Sequence, residues 1–262
     1  MTFKELTAQI KALSTLENVD TCVIGYSVLG RPINAFHVGS YCDNQVIISA
    51  AIHAREWITA LLTVELVKIY SRQELDGGIW FIPLCNPDGV QIALDTTPTG
   101  DPLWKANACG VDLNVNFDAD WGGGAQNVRI AGPENYIGAC PNSEPEVRAL
   151  IDFTLKVKPK ATAAYHSKGE LVYYAADISE PLAHKIGDIT GYTPERTQNS
   201  TGGYSDWVSM HLRVPAVTIE VGNDDYAHPI GVDKLEEILE QNREVPRVML
   251  ENICIKIEKH IY

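Results

Sequence analysis

The sequence is short of several things, and each shortage excludes something. Its six cysteines, Cys22, Cys42, Cys85, Cys109, Cys140 and Cys254, include no Cys-x-x-Cys pair. The usual cysteine zinc sites and thioredoxin-type redox chemistry are therefore absent. Most of these cysteines lie in or beside apolar runs, which predicts free buried thiols in a reducing compartment rather than a disulfide set. Positive charge is scarce: 21 Lys and Arg stand against 34 Asp and Glu, giving a formal net charge of -13 and a pI of about 4.9. Nucleic acid and anionic membrane, which select basic patches, are disfavoured as partners. A small peptide substrate is not, because a pocket can be locally positive on an acidic protein. No run approaches the roughly eighteen apolar residues of a transmembrane helix. The opening "MTFKELTAQIKAL" has neither the apolar core nor the cleavage site of a signal peptide. Taken as a native start, it predicts a cytoplasmic protein. No repeat, low-complexity tract or linker divides the chain.

What is present fits a soluble globular protein: 262 residues, 45% hydrophobic and 21% charged, enough to bury a sizeable core. Residues 3–13 read as a short amphipathic helix. "TCVIGYSVLGRPINAFHVG" reads as a hairpin about the turn Leu29-Gly30-Arg31-Pro32. "QVIISAAI" and "GIWFIPL" are apolar throughout, as buried parallel strands are, and "EWITALLTVELVKIYSRQ" between them has helical spacing. Residues 95–142 are rich in Gly, Asn, Asp and Pro, and a long irregular segment inside a compact domain is usually functional. "SEPEVRALIDFTLKV" predicts a helix with a Ser143/Glu146 capping box. "ATAAYHS" and "PAVTIEVG" read as strands, "ISEPLAHKIGDITG" as a helix closed by Gly191, and "TGGYSDW" as a glycine-bearing loop. From about Val232 onward the chain reads as helical, with Pro246 kinking that helix or opening a second. The alternation predicts one α/β domain with a mixed, mostly parallel sheet and helices on both faces.

In such sheets ligands bind beyond the carboxyl ends of the strands, and three strand ends carry titratable residues. One ends in His53, with Glu56 three residues on; a second ends in His166; a third delivers Glu220. Burying these groups singly is expensive without a partner. A metal supplies one, and two histidines with a glutamate and an open fourth position form a known catalytic zinc set. His53, Glu56 and His166 are then the expected Zn2+ ligands, with Glu220 left free as the base. Bland readings stand beside this one. Glu56 in a first helical turn suits the macrodipole, His166 alone suits a satisfied core histidine, and Glu220 suits an ion pair. Their joint placement favours the metal.

The segments "HAREW", "NPDGV", "GVDLNVNF", "YHSKG", "TGGYSDW" and "TIEVG", in this order and spacing, resemble the M14 (carboxypeptidase A-like) zinc carboxypeptidases from about residue 20 to the C-terminus. The resemblance implies a hydrolase with an eight-stranded mixed sheet between helices. It implies His53, Glu56 and His166 as zinc ligands and Glu220 as general base. Asp112 becomes the carboxylate that orients His53, a partner a ligating imidazole needs, although a turn-forming Asp is the plainer reading. Arg55 and Asn114 become substrate contacts, and "NPDG" a structural turn.

The departures narrow the substrate. Where the family carries a Trp-Arg pair that stabilises the oxyanion, this chain has Trp104-Lys105, which keeps the charge and loses the bidentate fork. Where an Arg follows the Asn and clamps the terminal carboxylate, this chain has Asn114-Val115. The capping tyrosine is replaced by Gln198. The specificity position is Ser205, neither apolar nor acidic, expected near the floor of the substrate pocket with Tyr204 and Gln198 near its rim. These changes resemble a bacterial subgroup, the γ-D-glutamyl-L-diamino acid peptidases, which cut between D-Glu and diaminopimelate in murein peptides. In that reading Lys168 attracts the free α-carboxylate of the γ-linked glutamate. Two alternatives stay open: a plain carboxypeptidase reading its carboxylate through Arg129 or Lys168, and an inactive peptide-binding homologue.

Overall fold

The computed structural model describes residues 1–254, with side chains through Glu251. Eight strands form one sheet: β1 (Asp20–Tyr26), β2 (Pro32–Gly39), β3 (Gln45–Ala50), β4 (Gly78–Ile82), β5 (Ala161–His166), β6 (Leu171–Tyr174), β7 (Thr193–Arg196) and β8 (Ala216–Glu220), in the spatial order β1-β2-β4-β3-β5-β8-β6-β7. The four central strands β4, β3, β5 and β8 run parallel. The β1–β2 hairpin and β6 attach antiparallel on either side, and β7 adds parallel to β6.

Every residue of β3 and β5 is buried, and alternation divides them between two cores. Val46, Ile48 and Ala50 face one core while Ile47 faces the other. The first core is covered by helices α1 (Phe3–Ala12), α2 (Ile58–Tyr70), α3 (Pro87–Leu94), α5 (Glu180–Thr190), α7 (Leu235–Asn242) and α8 (Val245–Cys254), and the second by α4 (Pro145–Val157) and α6 (Tyr204–His211). α2 is buried almost all round, at Ile58, Leu61, Leu62, Val64, Leu66 and Val67, because it lies between the sheet and α7. No helix among the described residues is long and apolar enough to cross a membrane.

Several local expectations are corrected. "NPDG" is not a turn but the start of α3: the Asn86 side chain accepts the Gly89 N–H at 3.0 Å and Pro87 fills the first turn, where its missing N–H costs nothing. The Ser143/Glu146 capping box does not form. α4 starts at Pro145, the Ser143 hydroxyl donates to Glu144 (2.7 Å), and Glu146 instead accepts the Val28 N–H at 3.0 Å. The second half of "TGGYSDW" is helix α6 rather than loop. β6 (LVYY) and β7 (TPER) are strands of only four residues, too short to announce themselves by pattern. Pro246 opens α8 instead of kinking a longer helix. Of the five cysteines whose side chains are described, all are free, but only Cys85 is buried, and Cys42, Cys109 and Cys140 are exposed. The Cys254 thiol and the expected helix beyond it, residues 255–262, lie outside the described residues.

Candidate metal centre and active site

The site forms where the central parallel strands end. After β3 the chain turns sharply through Ala51, at φ 48° in the left-handed region, with its N–H donated to the Thr59 hydroxyl at 2.9 Å. That turn presents His53. A single 3-10 turn, Ala54–Glu56, then carries Glu56 to the same side. β5 ends on His166, and the parallel register sets His166 directly beside Glu220 at the end of β8.

Nδ1 of His53 lies 3.0 Å from Glu56 Oε1 and 3.1 Å from Nδ1 of His166, which in turn lies 3.0 Å from Glu56 Oε2. One ligand atom from each residue falls within 4.8 Å of the others. All three residues are buried. Facing imidazole lone pairs repel unless a cation sits between them. Ligands held about 2.0–2.1 Å from a tetrahedral zinc lie about 3.3 Å apart, close to the separations found, so the donor set fits the metal. Burial opposes the charge of Glu56, but the imidazoles of His53 and His166 outweigh it and hold its carboxyl well below the usual range.

Asp112 backs this group. Its Oδ1 lies 3.2 Å from His53 Nε2 and its Oδ2 lies 2.7 Å from Lys105 Nζ. It also accepts the Asn114 and Asn135 N–H groups at 3.1 and 3.2 Å. Burial works against its charge, and Lys105 and His53 hold its carboxyl low regardless. Lys105 is half-buried, which works against its charge, yet Asp112 keeps its ammonium above the ordinary lysine value.

Glu220 differs. No described residue gives its carboxylate a hydrogen bond, and burial pushes it up to about 7, with the neighbouring Glu56 adding to the rise and His166 opposing it. A carboxylate poised near neutrality suits a general base.

These groups open into a cavity of about 360 Å³, lined among others by His53, Lys105, Asn114, Val115, His166, Gln198, Ser205 and Glu220. Ser205 forms part of its floor, its hydroxyl donating to Val217 O at 3.0 Å and lying 3.1 Å from the Thr218 hydroxyl. Asn114 accepts the Tyr204 N–H at 3.0 Å and so ties the start of α6 to the cavity wall. Three sequence-predicted contacts are placed elsewhere. Tyr204, expected at the rim, is buried in the second core with its hydroxyl 2.7 Å from that of Thr154, because it opens a helix and its side chain turns inward. Lys168 does not line the cavity; its ammonium is held by Asp224 at 2.9 Å. Arg55 also lies outside the lining, paired with Glu134 at 3.2 Å. Thr197, Ser200, Asp206 and Thr218 line the cavity without having been singled out in the sequence. Asp206 stood inside a recognisable motif, whereas Thr197 and Ser200 follow a strand that carried no pattern.

The profile of the zinc carboxypeptidase family matches residues 6–245. A γ-D-glutamyl-L-diamino acid endopeptidase of Lysinibacillus sphaericus is 28% identical over 83% of this chain, and the chain spans 64% of that relative's length. A zinc carboxypeptidase of Simulium vittatum is 32% identical over 78% of this chain and 79% of its own length. Among solved structures, bovine thrombin-activatable fibrinolysis inhibitor superimposes with a TM-score of 0.85 at 20% identity, covering 98% of both chains. A murein-tripeptide amidase of Escherichia coli O157 superimposes with a TM-score of 0.62 at 20% identity, covering 92% of this chain and 95% of that one. With its central mixed sheet and a His-Glu-His group at the strand ends, the chain belongs to the zinc carboxypeptidase family, M14.

Proposed function

We propose that the protein is a zinc metallopeptidase that hydrolyses the γ-D-Glu–diaminopimelate bond of murein peptides. The observation that carries the substrate reading is the cavity lining. Val115 occupies the place where a carboxypeptidase would present its carboxylate clamp, and Lys105 is the sole Lys or Arg in the lining. A pocket without a bidentate cation has no strong handle for a terminal carboxylate. The other candidates for that handle lie elsewhere: Arg129 stacks over Trp121, with 4.9 Å from its guanidinium carbon to the ring centroid, and Lys168 is paired with Asp224. The names of two similar proteins, a γ-D-glutamyl-L-diamino acid endopeptidase and a murein-tripeptide amidase, support the same reading.

His53, Glu56 and His166 would hold the metal. Bound zinc supplies Lewis acidity, polarising the scissile carbonyl and acidifying the attacking water. Glu220 takes a proton from that water on its carboxylate and delivers it to the leaving nitrogen. Lys105, fixed by Asp112, presents a positive charge toward the oxygen that becomes anionic. Asp112 holds His53 in the orientation that turns Nδ1 toward Glu56 and His166, with which it would hold the metal. The test is a paired assay of the zinc-loaded protein on D-Glu γ-linked and L-Glu α-linked peptides that share a leaving residue. The γ-linked peptide is expected to be cut at least about tenfold faster in kcat/KM, within what a few polar contacts discriminate. Equal cleavage of both would restore the plain carboxypeptidase.

A further inference from the structure

A cavity of about 570 Å³ lies between α1 and the β1–β2 hairpin and shares no lining residue with the catalytic one. Its size is that of a small-molecule pocket, roughly 300–1,000 Å³. Three of its lining residues, Ile10, Phe36 and Leu84, belong to the first core and give it an apolar floor. Three others, Lys11, Thr21 and Asn34, have side chains that make no hydrogen bond or ion pair with any described residue. An unpaired lysine or threonine at the surface is ordinarily solvated and signifies nothing. Asn34 is different: it is half-buried in β2 between the buried Ile33 and Ala35, where a polar side chain normally has a partner. The charges are one-sided as well. No Asp or Glu lines this cavity, although the chain carries a net charge of -13. Its second cation, Arg31, is committed to the buried Asp88 and to Gln91, which leaves Lys11 as the one unmatched charge.

An apolar floor beside an ammonium, an amide and a hydroxyl complements an amphipathic anion. The aliphatic part gains by leaving water, and a carboxylate gains a charge-assisted hydrogen bond. One unmatched ammonium balances one negative charge, so a monoanion fits. A phosphate dianion would keep an unbalanced charge, and a cation would meet Lys11 and Arg31 with no acid in the lining to offset them. We propose that this cavity is a second ligand site, for a monocarboxylate with an aliphatic body. The body lies on Ile10, Phe36 and Leu84, and the carboxylate faces Lys11, with the Asn34 amide and the Thr21 hydroxyl as further donors. The inference stands apart from the peptidase reading and from the metal.

The experiment is a calorimetric titration of the zinc-loaded protein with octanoate, octan-1-ol and acetate. Octanoate is expected to bind at one site per chain. Octan-1-ol, which keeps the chain and loses the charge, is expected to bind at least about fivefold more weakly. Acetate, shorter by about six methylenes, is expected to bind at least about a hundredfold more weakly. Lys11→Glu turns attraction into repulsion and is expected to weaken octanoate at least about fivefold, more than the loss of an ordinary surface ion pair. Thr21→Trp, which fills the cavity from an exposed strand position, is expected to abolish octanoate binding. Neither variant is expected to change peptide turnover. Because carboxylates also coordinate zinc, the titration is repeated after chelation, and octanoate binding is expected to survive there. Four results would overturn the proposal: no octanoate binding, equal affinity for octanoate and octan-1-ol, an affinity unchanged in Lys11→Glu or Thr21→Trp, or binding that disappears with the zinc. Should Lys11→Glu not fold, Lys11→Gln replaces it, with an unchanged preference for octanoate over octan-1-ol counting against the proposal.

Discussion

Glu220 and Glu56 are carboxylates of one site driven in opposite directions. Burial resists the charge of both, but Glu56 faces two imidazoles while Glu220 has no hydrogen-bond donor of its own. Under the proposed roles, the first stays ionised as a ligand and the second is basic enough to accept a proton. Glu220→Gln keeps the shape and removes the basicity. Turnover is expected to fall about 10²–10⁴-fold, the ordinary worth of a positioned acid–base group, while metal analysis still finds one zinc per chain. Near wild-type turnover in that variant would dismiss the role. Asp112 gives Lys105 a fixed position. A lone ammonium is a point charge with no preferred direction, but the 2.7 Å contact with Asp112 fixes it. The same carboxylate thus orients both His53 and Lys105.

At the scale of elements, the parallel register of β5 and β8 does the assembling, because it sets His166 next to Glu220 without the help of any loop. The wall opposite is built by a backbone crossing. Gly202, at φ 84°, passes so close to Val115 that an added Cβ would meet its carbonyl oxygen at 3.0 Å, and its own carbonyl accepts the Phe117 N–H at 3.0 Å. Gly202→Ala is therefore expected to destabilise the fold by about 1–2 kcal/mol, the cost of a left-handed L-residue, and to displace Ser205 and Asp206 from the cavity. A lowered denaturant midpoint with a raised KM would be the signature, and an unchanged midpoint would count against it.

At the scale of the molecule, the helices and sheet leave the catalytic edge open, and the irregular stretch between α3 and α4 covers it. That stretch holds its shape by polar anchors, not by apolar burial alone. Ala54 N–H donates to Lys105 O at 3.0 Å, Asn107 binds Glu144 at 2.7 Å, and the Asn116 amide reaches the Ile137 and Cys140 carbonyls at 2.8 and 3.1 Å. The proposed ligands His53, Glu56 and His166 join the end of β3 to the end of β5, so a bound ion should stabilise the whole domain by linkage. Removing zinc with a chelator is expected to lower Tm by about 5–10 °C, the shift corresponding to a few kcal/mol in a chain of this size, and restoring zinc should reverse it. Identical melting curves with and without the ion would disconnect the site from the fold.

The sequence by itself determined the layers and the gathering of a His-Glu-His group at the strand ends. Runs such as "QVIISAAI" and "ATAAYHS" carry enough apolar side chains to be buried on both faces, and the polar residues at their ends are confined to the carboxyl edge of a parallel sheet, so His53, Glu56, His166 and Glu220 were legible from pattern alone. What it did not determine were features in which a local signal is weak or is overruled. β6 and β7 are four-residue strands at one side of the sheet whose pairing, β6 on β8 and β7 on β6, comes from their neighbours and not from a pattern of their own. Glu146 had the spacing of a cap, but the Val28 N–H across the second core claimed it. Tyr204 and Asp206 are two residues apart in one motif, and helical rotation sends one into the core and the other to the cavity. Lys168 is held by Asp224, 56 residues away, a pairing no local pattern announces. Which side chain faces a shared cavity depends on the packing of segments distant in the chain, and only the tertiary structure decides that.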